Sequence, residues 1–533
     1  MRIFTLSILF IISLIAAITP VAASEVSRDS VTTKKVIPFK ADSASKDSLK
    51  TTKIKPKDTK SKKREYRWMV EGSATTSSSS TPFWLMNNRN GLSSLAQNNG
   101  YMRAGFFSPK IEEKRWSYGF GADIVIPYNY TSKFVIQELY ADFKYRSLQL
   151  TVGSRVRYDG VVDRDLSSGD LTFSMNYRPI PQIHMSMPEY QWIPLTNQWA
   201  SFKGFFSIGR YTDGGWQKDY AGETNRWSDK VLYHSKGFWV KLGNTERLPV
   251  TLEGGLEMAV QFGGEVQIFD PATNKAKVVK MPSKFVDLLK SIVPMGGGSA
   301  SRPELMGEVT NVYGNHVGQW SAAATFTSKE TGLQLRTYYE HFFDDHSQLF
   351  LEHGWHDMLL GVSLTLPRNR IVDKILYEYI YTKDQSGSVY SDSNEYFPEQ
   401  VSGRDDYYNH YMYTGWQHWG MGMGNALVVS PIFNRHGNLE FMHNRIKGHH
   451  IGVMGSPSAE LNYKLMLSYS DSWGTYPNPT PKIKHNFNAL VELGFSPRRL
   501  SGWNFNISLA GDGGNLLGGN VGAMISIRKT GVL

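Results

Sequence analysis

The amino-acid sequence predicts an all-β fold: a transmembrane, antiparallel, up-and-down β-barrel. Three observations predict it. The chain begins with an export signal, it contains no later apolar stretch long enough for a transmembrane helix, and apolar and polar residues alternate along short segments from about residue 65 onward. Because every backbone N–H and C=O group must be paired inside lipid, an exported chain without a spanning helix can cross a bilayer only as a closed sheet.

The first 23 residues predict a secretory signal peptide. Met1-Arg2 is a short basic start, an apolar run extends from Ile3 to Ile18, and Val21-Ala22-Ala23 supplies the small residues of a cleavage site. The alternative is a membrane anchor, but the run is shorter than the ~20 apolar residues that span a bilayer. We therefore expect cleavage after Ala23.

Residues 24–64 are predicted to be a disordered, Lys/Ser/Thr-rich periplasmic segment. The formal net charge of the chain is +10, and the excess of lysine is concentrated here. Such a composition cannot bury enough apolar surface to offset the entropy of ordering. A lysine run can bind nucleic acid, but an exported protein rarely meets it, so we expect a solvated tether and no nucleic-acid partner. The sequence has no Cys, which excludes disulfides.

Residues 65–533 are predicted to form the barrel. Apolar side chains share one face in residues 118–126 and in residues 139–145, and the latter segment is followed at once by a tight hairpin at Arg146-Ser147. The same alternation returns in residues 521–527, where Gly, Met and Ser oppose Val, Ala and Ile. A soluble β-sandwich or propeller would alternate similarly, but there is no repeat of ~40–50 residues of the kind that propellers show.

One segment has a helical period. In Pro282–Pro294 the residues Phe285, Leu288, Leu289 and Ile292 recur at helical spacing, and Ser283 can cap the start. The segment lies in an insertion between about Gly264 and Gly307. We predict a short amphipathic helix in a loop.

Enzymatic chemistry finds little support in the sequence. No histidine has the spacing of a known catalytic or metal motif, and neither H-E-x-x-H nor G-x-S-x-G occurs. His341 and His346 flank Asp344-Asp345, but a polar loop explains that cluster as well as a metal does. Asp405 and Asp406 are adjacent carboxylates, which is no evidence for a glycosidase pair. We expect no catalytic residue, no metal and no cofactor.

An aromatic insertion from about Lys383 to Gly424 is the most informative feature. Its rings lie among acids, amides and an arginine, a mixture that suits a polysaccharide, because sugar faces stack on rings and hydroxyls need polar partners. Membrane-interface aromatics and loop packing explain the rings equally well, and both readings stay open. With a second cluster near residue 473, the tentative ligand-binding residues are Arg404, Asp405, Asp406, Tyr407, Tyr408, Asn409, Trp416, Trp419, Trp473 and Tyr476.

Several strings, in order and spacing, resemble the capsule assembly protein Wzi family in the form found in Bacteroidetes. They cover the chain from about Glu65 to its end and read TPFWLMNNRNGLSS (81–94), YRPIPQI (177–183), VLYHSKGFWVKLG (231–243), GGLEMAVQFGG (254–264), GRDDYYNHYMYTGW (403–416), GNALVVSPIFN (424–434) and the final IRKTGVL. The resemblance implies an outer-membrane barrel of about 18 strands that acts as a surface lectin, helps attach exported polysaccharide, and has no catalytic residues.

The expected function is therefore a non-enzymatic, lectin-like outer-membrane barrel that binds capsular or other surface polysaccharide and supports capsule assembly or attachment. Its expected surroundings are outer-membrane lipid and, as further partners, components of capsule export or secretion. Two alternatives stay open: a porin or transport channel, and an accessory barrel of a protein secretion or surface-attachment system.

Overall fold

The structure is a computed structural model. It describes residues 64–111, 114–270, 275–292, 314–344, 356–367, 371–385, 390–391, 401–402, 405–434 and 436–533. The expected signal peptide, and the expected Lys-rich segment apart from Arg64, lie outside the described residues.

Strands dominate the described chain. The first are β1 (Arg67–Ser77), β2 (Asn98–Ser108), β3 (Trp116–Tyr128), β4 (Val135–Tyr145), β5 (Leu148–Ser154), β6 (Gln182–Trp192), β7 (Ala200–Arg210), β8 (Trp227–Asp229) and β9 (Leu232–Leu242). Next come β10 (Val250–Phe262), β11 (Glu265–Asp270), β12 (Lys275–Lys280), β13 (Asn315–Thr327), β14 (Gln334–Asp344), β15 (Met358–Thr365) and β16 (Lys374–Tyr381). The last are β17 (Tyr390–Ser391), β18 (Val401–Ser402), β19 (Gln417–His418), β20 (Met421–Gly422), β21 (Ile446–Gly455), β22 (Leu461–Gly474), β23 (Pro479–Phe495), β24 (Trp503–Gly514) and β25 (Asn520–Val532).

Helices are short. They are α1 (Phe83–Met86), α2 (Gly214–Ala221) and α3 (Phe285–Ile292), with a 3₁₀ turn at Pro431–Phe433. Within the described ranges, no helix combines the length and the apolar character needed to cross a bilayer. Helix α3 confirms the amphipathic loop helix predicted from the apolar spacing of its residues.

Eighteen strands form one closed antiparallel barrel, as predicted. They are β1–β7, β9, β10, β13–β16 and β21–β25, and each pairs with the next along the chain. The first and last strands close the sheet over their whole length, from Arg67 opposite Val532 to Ser77 opposite Gly522. Closure leaves no unpaired barrel edge, which is the condition for a sheet inside lipid.

The wall alternates as the sequence predicts. On β22 the side chains of Leu465, Leu467 and Tyr469 are exposed on the outside of the barrel. The residues between them, Met466 and Ser468 among others, are buried on the lumen side. The predicted hairpin at Arg146-Ser147 joins β4 to β5, and Arg146 adopts a positive φ of 56° in the turn.

The two ends of the barrel differ in loop length. One end carries the start of β1, the end of β25 and connections as short as two residues (146–147), none longer than eight (366–373). The other end carries the long connections, including 155–181, 211–231 and 382–445. Because outer-membrane barrels place short turns in the periplasm and long loops outside the cell, the long-loop end is extracellular.

Two of these long connections turn back into the barrel. We call the described residues of 155–181 and 405–445 the lumen plug. Side chains on the inner wall accept hydrogen bonds from its backbone: Glu378 from Ser168 N–H at 2.7 Å, Glu340 from Leu171 N–H at 3.0 Å, and Gln319 from Thr172 N–H at 2.8 Å. These bonds satisfy amides that would otherwise be buried without partners.

The two plug segments also bind each other. Ser174 N–H donates to the carbonyl of Met423 at 2.8 Å, and the amide of Asn176 donates to the carbonyl of Gly422 at 3.1 Å. Asn425 donates to the hydroxyl of Ser168 at 3.0 Å. The plug is therefore one packed unit anchored to the polar inner wall.

Candidate functional site

Three of the predicted ligand residues lie inside the plug, where they are fully buried. Tyr407 donates its hydroxyl to Asp357 at 2.9 Å, Tyr408 donates to the carbonyl of Leu171, and Trp416 Nε1–H donates to the carbonyl of Thr172 at 2.8 Å. Their rings present no face to solvent. The expectation that the 383–424 insertion displays these rings outward is therefore wrong for all three, which pack the plug against the wall.

Trp419 lies instead at the tip of a tight turn. The two-residue strands β19 and β20 pair as a hairpin around Trp419-Gly420, whose φ angles are 57° and 78°. Two positive φ values in a two-residue loop define a type I′ turn, a conformation that a bulky residue adopts only when neighbouring contacts hold it. Here Asp213 accepts Trp419 N–H at 2.8 Å, and the indole Nε1–H donates to Thr212 Oγ1 at 3.3 Å.

Helix α2 brings two more rings beside this turn. Trp216 and Tyr220 are four residues apart, so they share one face of the helix, and their rings stack with centroids 5.0 Å apart. The centroid of the Trp216 ring lies 5.9 Å from that of Trp419. All three rings are partly exposed. We call Tyr220, Trp216 and Trp419 the aromatic row; it lies at the extracellular end.

Arg178 closes one end of the aromatic row. Its guanidinium lies 4.3 Å from the centroid of the Trp419 ring, a cation–π contact, and it donates to the hydroxyl of Ser132 at 3.2 Å. His418 Nδ1–H donates to the Arg178 carbonyl at 2.8 Å, which ties the turn to the plug. Burial lowers the pKa of Arg178 to about 10, so the side chain stays charged at neutral pH.

A cavity of about 200 Å³ opens next to this contact. It is lined by Ser94, Tyr130, Arg178, Trp419, Met421 and Ile432, among others. The lining combines one cation, hydroxyl groups, aromatic rings and aliphatic surface. Such a cavity can hold a small polar ring that has both an apolar face and hydroxyls.

A second extracellular cavity, of about 410 Å³, lies between the loops after β7, β10 and β16. Arg226 and Glu440 form an ion pair in its wall at 3.3 Å, and Tyr411, 46% exposed, forms another part of the lining. Asp406 lies nearby and accepts from Asn444 at 2.6 Å and from Asn409 at 3.1 Å. Burial is the main cause that raises the pKa of Asp406.

The remaining predicted residues form a third group. Trp473 receives the Lys383 ammonium at 4.9 Å from its ring centroid, and Tyr476 receives the guanidinium of Arg445 at 3.7 Å. Arg445 follows Asn444, the residue that binds Asp406, and Asp405 N–H donates to the carbonyl of Gln385 at 3.0 Å.

The structure thus brings Asp405, Asp406 and Asn409 toward Trp473 and Tyr476. Trp419 belongs to a separate cluster, the aromatic row, and Arg404 lies outside the described residues.

The histidine cluster considered for a metal is structural as far as it is described. His341 is buried and its Nδ1 donates to the carbonyl of Asp357 at 2.8 Å, while His346 lies outside the described residues. In the described part of the chain, no group of three or more His, Asp or Glu side chains is arranged to hold a metal ion.

Comparisons with known proteins agree with the fold. Neither a protein-family model nor any curated protein matches the sequence. Among solved structures, the chain is similar to Escherichia coli Wzi, described as an outer-membrane protein involved in group 1 capsule assembly and a carbohydrate-binding β-barrel, with a TM-score of 0.51 and 13% identity over 86% of this chain and 83% of that one. It is also similar, with a TM-score of 0.44 and 8% identity over 88% of this chain and 98% of the other, to Pseudomonas aeruginosa OccK5.

The protein is an outer-membrane β-barrel. This follows from a closed sheet of 18 strands whose outer surface carries a continuous run of exposed apolar side chains, such as those of β3, β22 and β25. The likeness to Wzi, at 13% identity, supports the fold and nothing finer.

Sequence reasoning missed part of the site. Trp216, Tyr220 and Arg178 were not among the predicted ligand residues, nor were Arg226 and Glu440. The spacing of Trp216 and Tyr220 in GGWQKDYAG is a signal that could have found the first two, since residues four apart share a helix face. The other three meet their neighbours only through long-range folding.

Proposed function

We propose that this barrel binds an extended surface polysaccharide at its extracellular end without cleaving it, and so supports the attachment or assembly of a capsule. The observation that carries the proposal is the aromatic row of Tyr220, Trp216 and Trp419. Successive ring faces offer stacking positions to the C–H-rich faces of successive sugars. The strained turn at Trp419 supports a functional role, because a bulky residue is held there against its conformational preference.

Polar groups beside the row suit the same ligand. Arg178 offers hydrogen-bond donors fixed by its contact with Trp419, and the cavity next to it adds the hydroxyls of Ser94 and Tyr130. The cavity between Arg226 and Glu440 is a second position for a sugar of the same polymer. Both cavities are small, so they fit single residues of a chain that extends across the surface.

A binding role, and not catalysis, fits the carboxylates. Both hydrogen bonds printed for Asp406 bind one oxygen to the amides of Asn409 and Asn444, which holds the group as an acceptor. Wzi, whose fold is similar, is described as a carbohydrate-binding barrel of capsule assembly, and this chain carries the strings that resemble that family. Contacts with one sugar repeat would be weak, and retention would come from many barrels that hold one polymer.

The cellular test compares variants in a strain that lacks the chromosomal gene. Trp216→Ala combined with Trp419→Ala removes two rings of the row; at about 1 kcal/mol for each stacked ring, the affinity should fall roughly thirtyfold. We expect cell-bound polysaccharide to be shed into the medium. Trp116→Ala, an exposed tryptophan at the periplasmic end, is the matched control and should retain polymer. Equal retention by the double variant and the control would contradict the proposal.

A transport channel is the second candidate, and the polar inner wall is the observation that favours it. The plug opposes it, because wall groups such as Glu340 and Glu378 bind plug backbone and not solvent. In planar bilayers we expect the intact protein to conduct far less than an open barrel of 18 strands. Large, steady conductance by the intact protein would favour the channel.

A further inference from the structure

Helix α3 lies on the outside of the barrel. The outward side chains of β9 alternate as His234, Lys236 and Phe238, and they lie opposite Val260, Met258 and Leu256 of β10. Phe238 is exposed, as a lipid-facing residue should be, whereas His234, Met258 and Val260 are buried. Lys236 Nζ donates to the carbonyl of Ile292 at the end of α3, and the helix contacts both strands. The chain after β12 therefore covers the outer wall here.

This contact lies well below the rim of the barrel. Strand β9 starts at its extracellular end with Leu232, and Lys236 follows four residues later. At roughly 3.3 Å per residue, the contact is about 13 Å along the strand from that end. The end of α3 thus lies beside the part of the wall that faces the outer leaflet.

The helix presents its apolar side away from the protein. Asp287 and Ser291 are the buried residues of α3, while Phe285, Val286 and Leu289 are 74%, 52% and 50% exposed. A helix on a water-soluble protein has the opposite arrangement, with apolar residues toward the protein. Because α3 lies on the lipid-facing wall, its exposed apolar side chains face lipid, as in helices that bind at a membrane interface.

Cations surround this apolar surface. Between residues 275 and 290 the chain carries five lysines and a single acid, Asp287, which is buried. Lys280, Lys284 and Lys290 are exposed, and the last two flank the exposed side chains of α3. Clusters of lysine at a bilayer surface attract anionic headgroups. The charge therefore complements a phosphate-bearing lipid.

A groove of about 560 Å³ runs along the outer wall beside Lys236. It is lined by Phe238, Val240, Gly254, Leu256 and Trp320. A Cβ atom built on Gly254 would meet one atom within 4 Å, the carbonyl oxygen of Ser321 at 3.9 Å, so the groove is open at the glycine. Apolar walls and an open floor suit a single acyl chain.

We propose that α3 and this groove bind one phosphate-bearing lipid of the outer leaflet, with an acyl chain over Gly254 and the phosphate on Lys284 and Lys290. The lipid would fix the height and rotation of the barrel in the leaflet beneath the extracellular loops. This role is separate from polysaccharide binding and does not depend on it.

The test uses the purified full chain in detergent and native mass spectrometry, with lipid A as the probe and dephosphorylated lipid A as the reference. We expect the wild type to retain lipid A in preference to the reference. Lys284→Gln with Lys290→Gln should weaken retention about thirtyfold, at about a fivefold effect for each lysine near the surface. The matched control is Lys114→Gln with Lys329→Gln, two exposed lysines at periplasmic turns, and it should bind as the wild type does.

Gly254→Leu tests the groove without changing charge. The added side chain fills the open floor on the lipid side, so it should reduce retention of lipid A while the barrel still folds. Three results would overturn the proposal: equal retention of lipid A and its dephosphorylated form, equal retention by the Lys284/Lys290 variant and its control, or unchanged retention by the Gly254 variant. Displacement of lipid A by soluble anionic polysaccharide would overturn it too, because the lysines would then serve the polymer.

Discussion

Glu378 is the group whose removal should loosen the plug most directly. Its carboxylate accepts from Ser168 N–H at 2.7 Å and from Ser168 Oγ at 2.6 Å, and it also accepts from the hydroxyls of Ser167 and Tyr338. Glu378→Ala removes the acceptor and leaves these donors buried. Since a hydrogen bond to a charged group contributes about 1.5–3 kcal/mol, the two bonds to Ser168 together account for about 3–6 kcal/mol of plug stability.

Hydrogen exchange measures this loss locally. A decrease of about 3 kcal/mol in the free energy of opening corresponds to exchange more than a hundredfold faster, so peptides covering 166–172 should exchange at least that much faster in Glu378→Ala. The barrel strands should keep their protection, because their ladder is untouched. Bilayer conductance should rise in the same variant as the plug opens.

Glu492→Ala is the matched control for this experiment. Glu492 also lies on the inner wall, but its partners are Ser508, at 2.9 Å, and Arg89, which belong to neither plug segment. Its replacement should leave exchange at 166–172 unchanged. Unaltered exchange in Glu378→Ala, or equal acceleration in both variants, would refute the conclusion that Glu378 anchors the plug.

Three further predictions concern the whole chain. The mature protein should begin at Ser24, and a mass spectrum that shows an intact signal sequence would contradict export by cleavage after Ala23. The unheated protein should migrate differently from the heated protein on a denaturing gel, because the β1–β25 closure leaves no free edge for detergent to open; identical migration would count against a closed barrel. Burial lowers the pKa of His410 to about 3 from the ordinary 6.5, so folding is most stable above pH 6.5 and the free energy of unfolding the plug decreases as pH falls from 6.5 toward 3; His410→Gln should flatten this dependence in thermal unfolding, whereas His436→Gln, at an exposed position, should not.

The wall of the barrel was predictable because its rule is local. Each strand faces lipid on one side and the lumen on the other, so residues such as Leu465 and Ser468 carry the pattern within a few positions. The loop helix at 285–292 was predictable for the same reason, from the spacing of its apolar residues. Its apolar side faces lipid, however, which the spacing alone does not reveal.

The plug was not predictable, because its partners are distant in sequence. Ser168 is held by Glu378, 210 residues away, and no local pattern marks such a pair. Neighbouring rings in the aromatic insertion show the same limit: Tyr407 and Tyr408 are buried, whereas Tyr411 is exposed. Composition marks the segment as aromatic, and only the fold decides which rings face the lumen and which face solvent.

The most direct test of the central claim is to measure binding of the purified barrel to surface polysaccharide from its own cells. Titration calorimetry should detect binding by the wild type and by Trp116→Ala, and binding roughly thirtyfold weaker when Trp216 and Trp419 are both replaced by alanine. The length of the polymer, measured by size exclusion after the titration, should be unchanged. Equal affinity in all three proteins, or a shortened polymer, would contradict a lectin-like barrel that binds through the aromatic row.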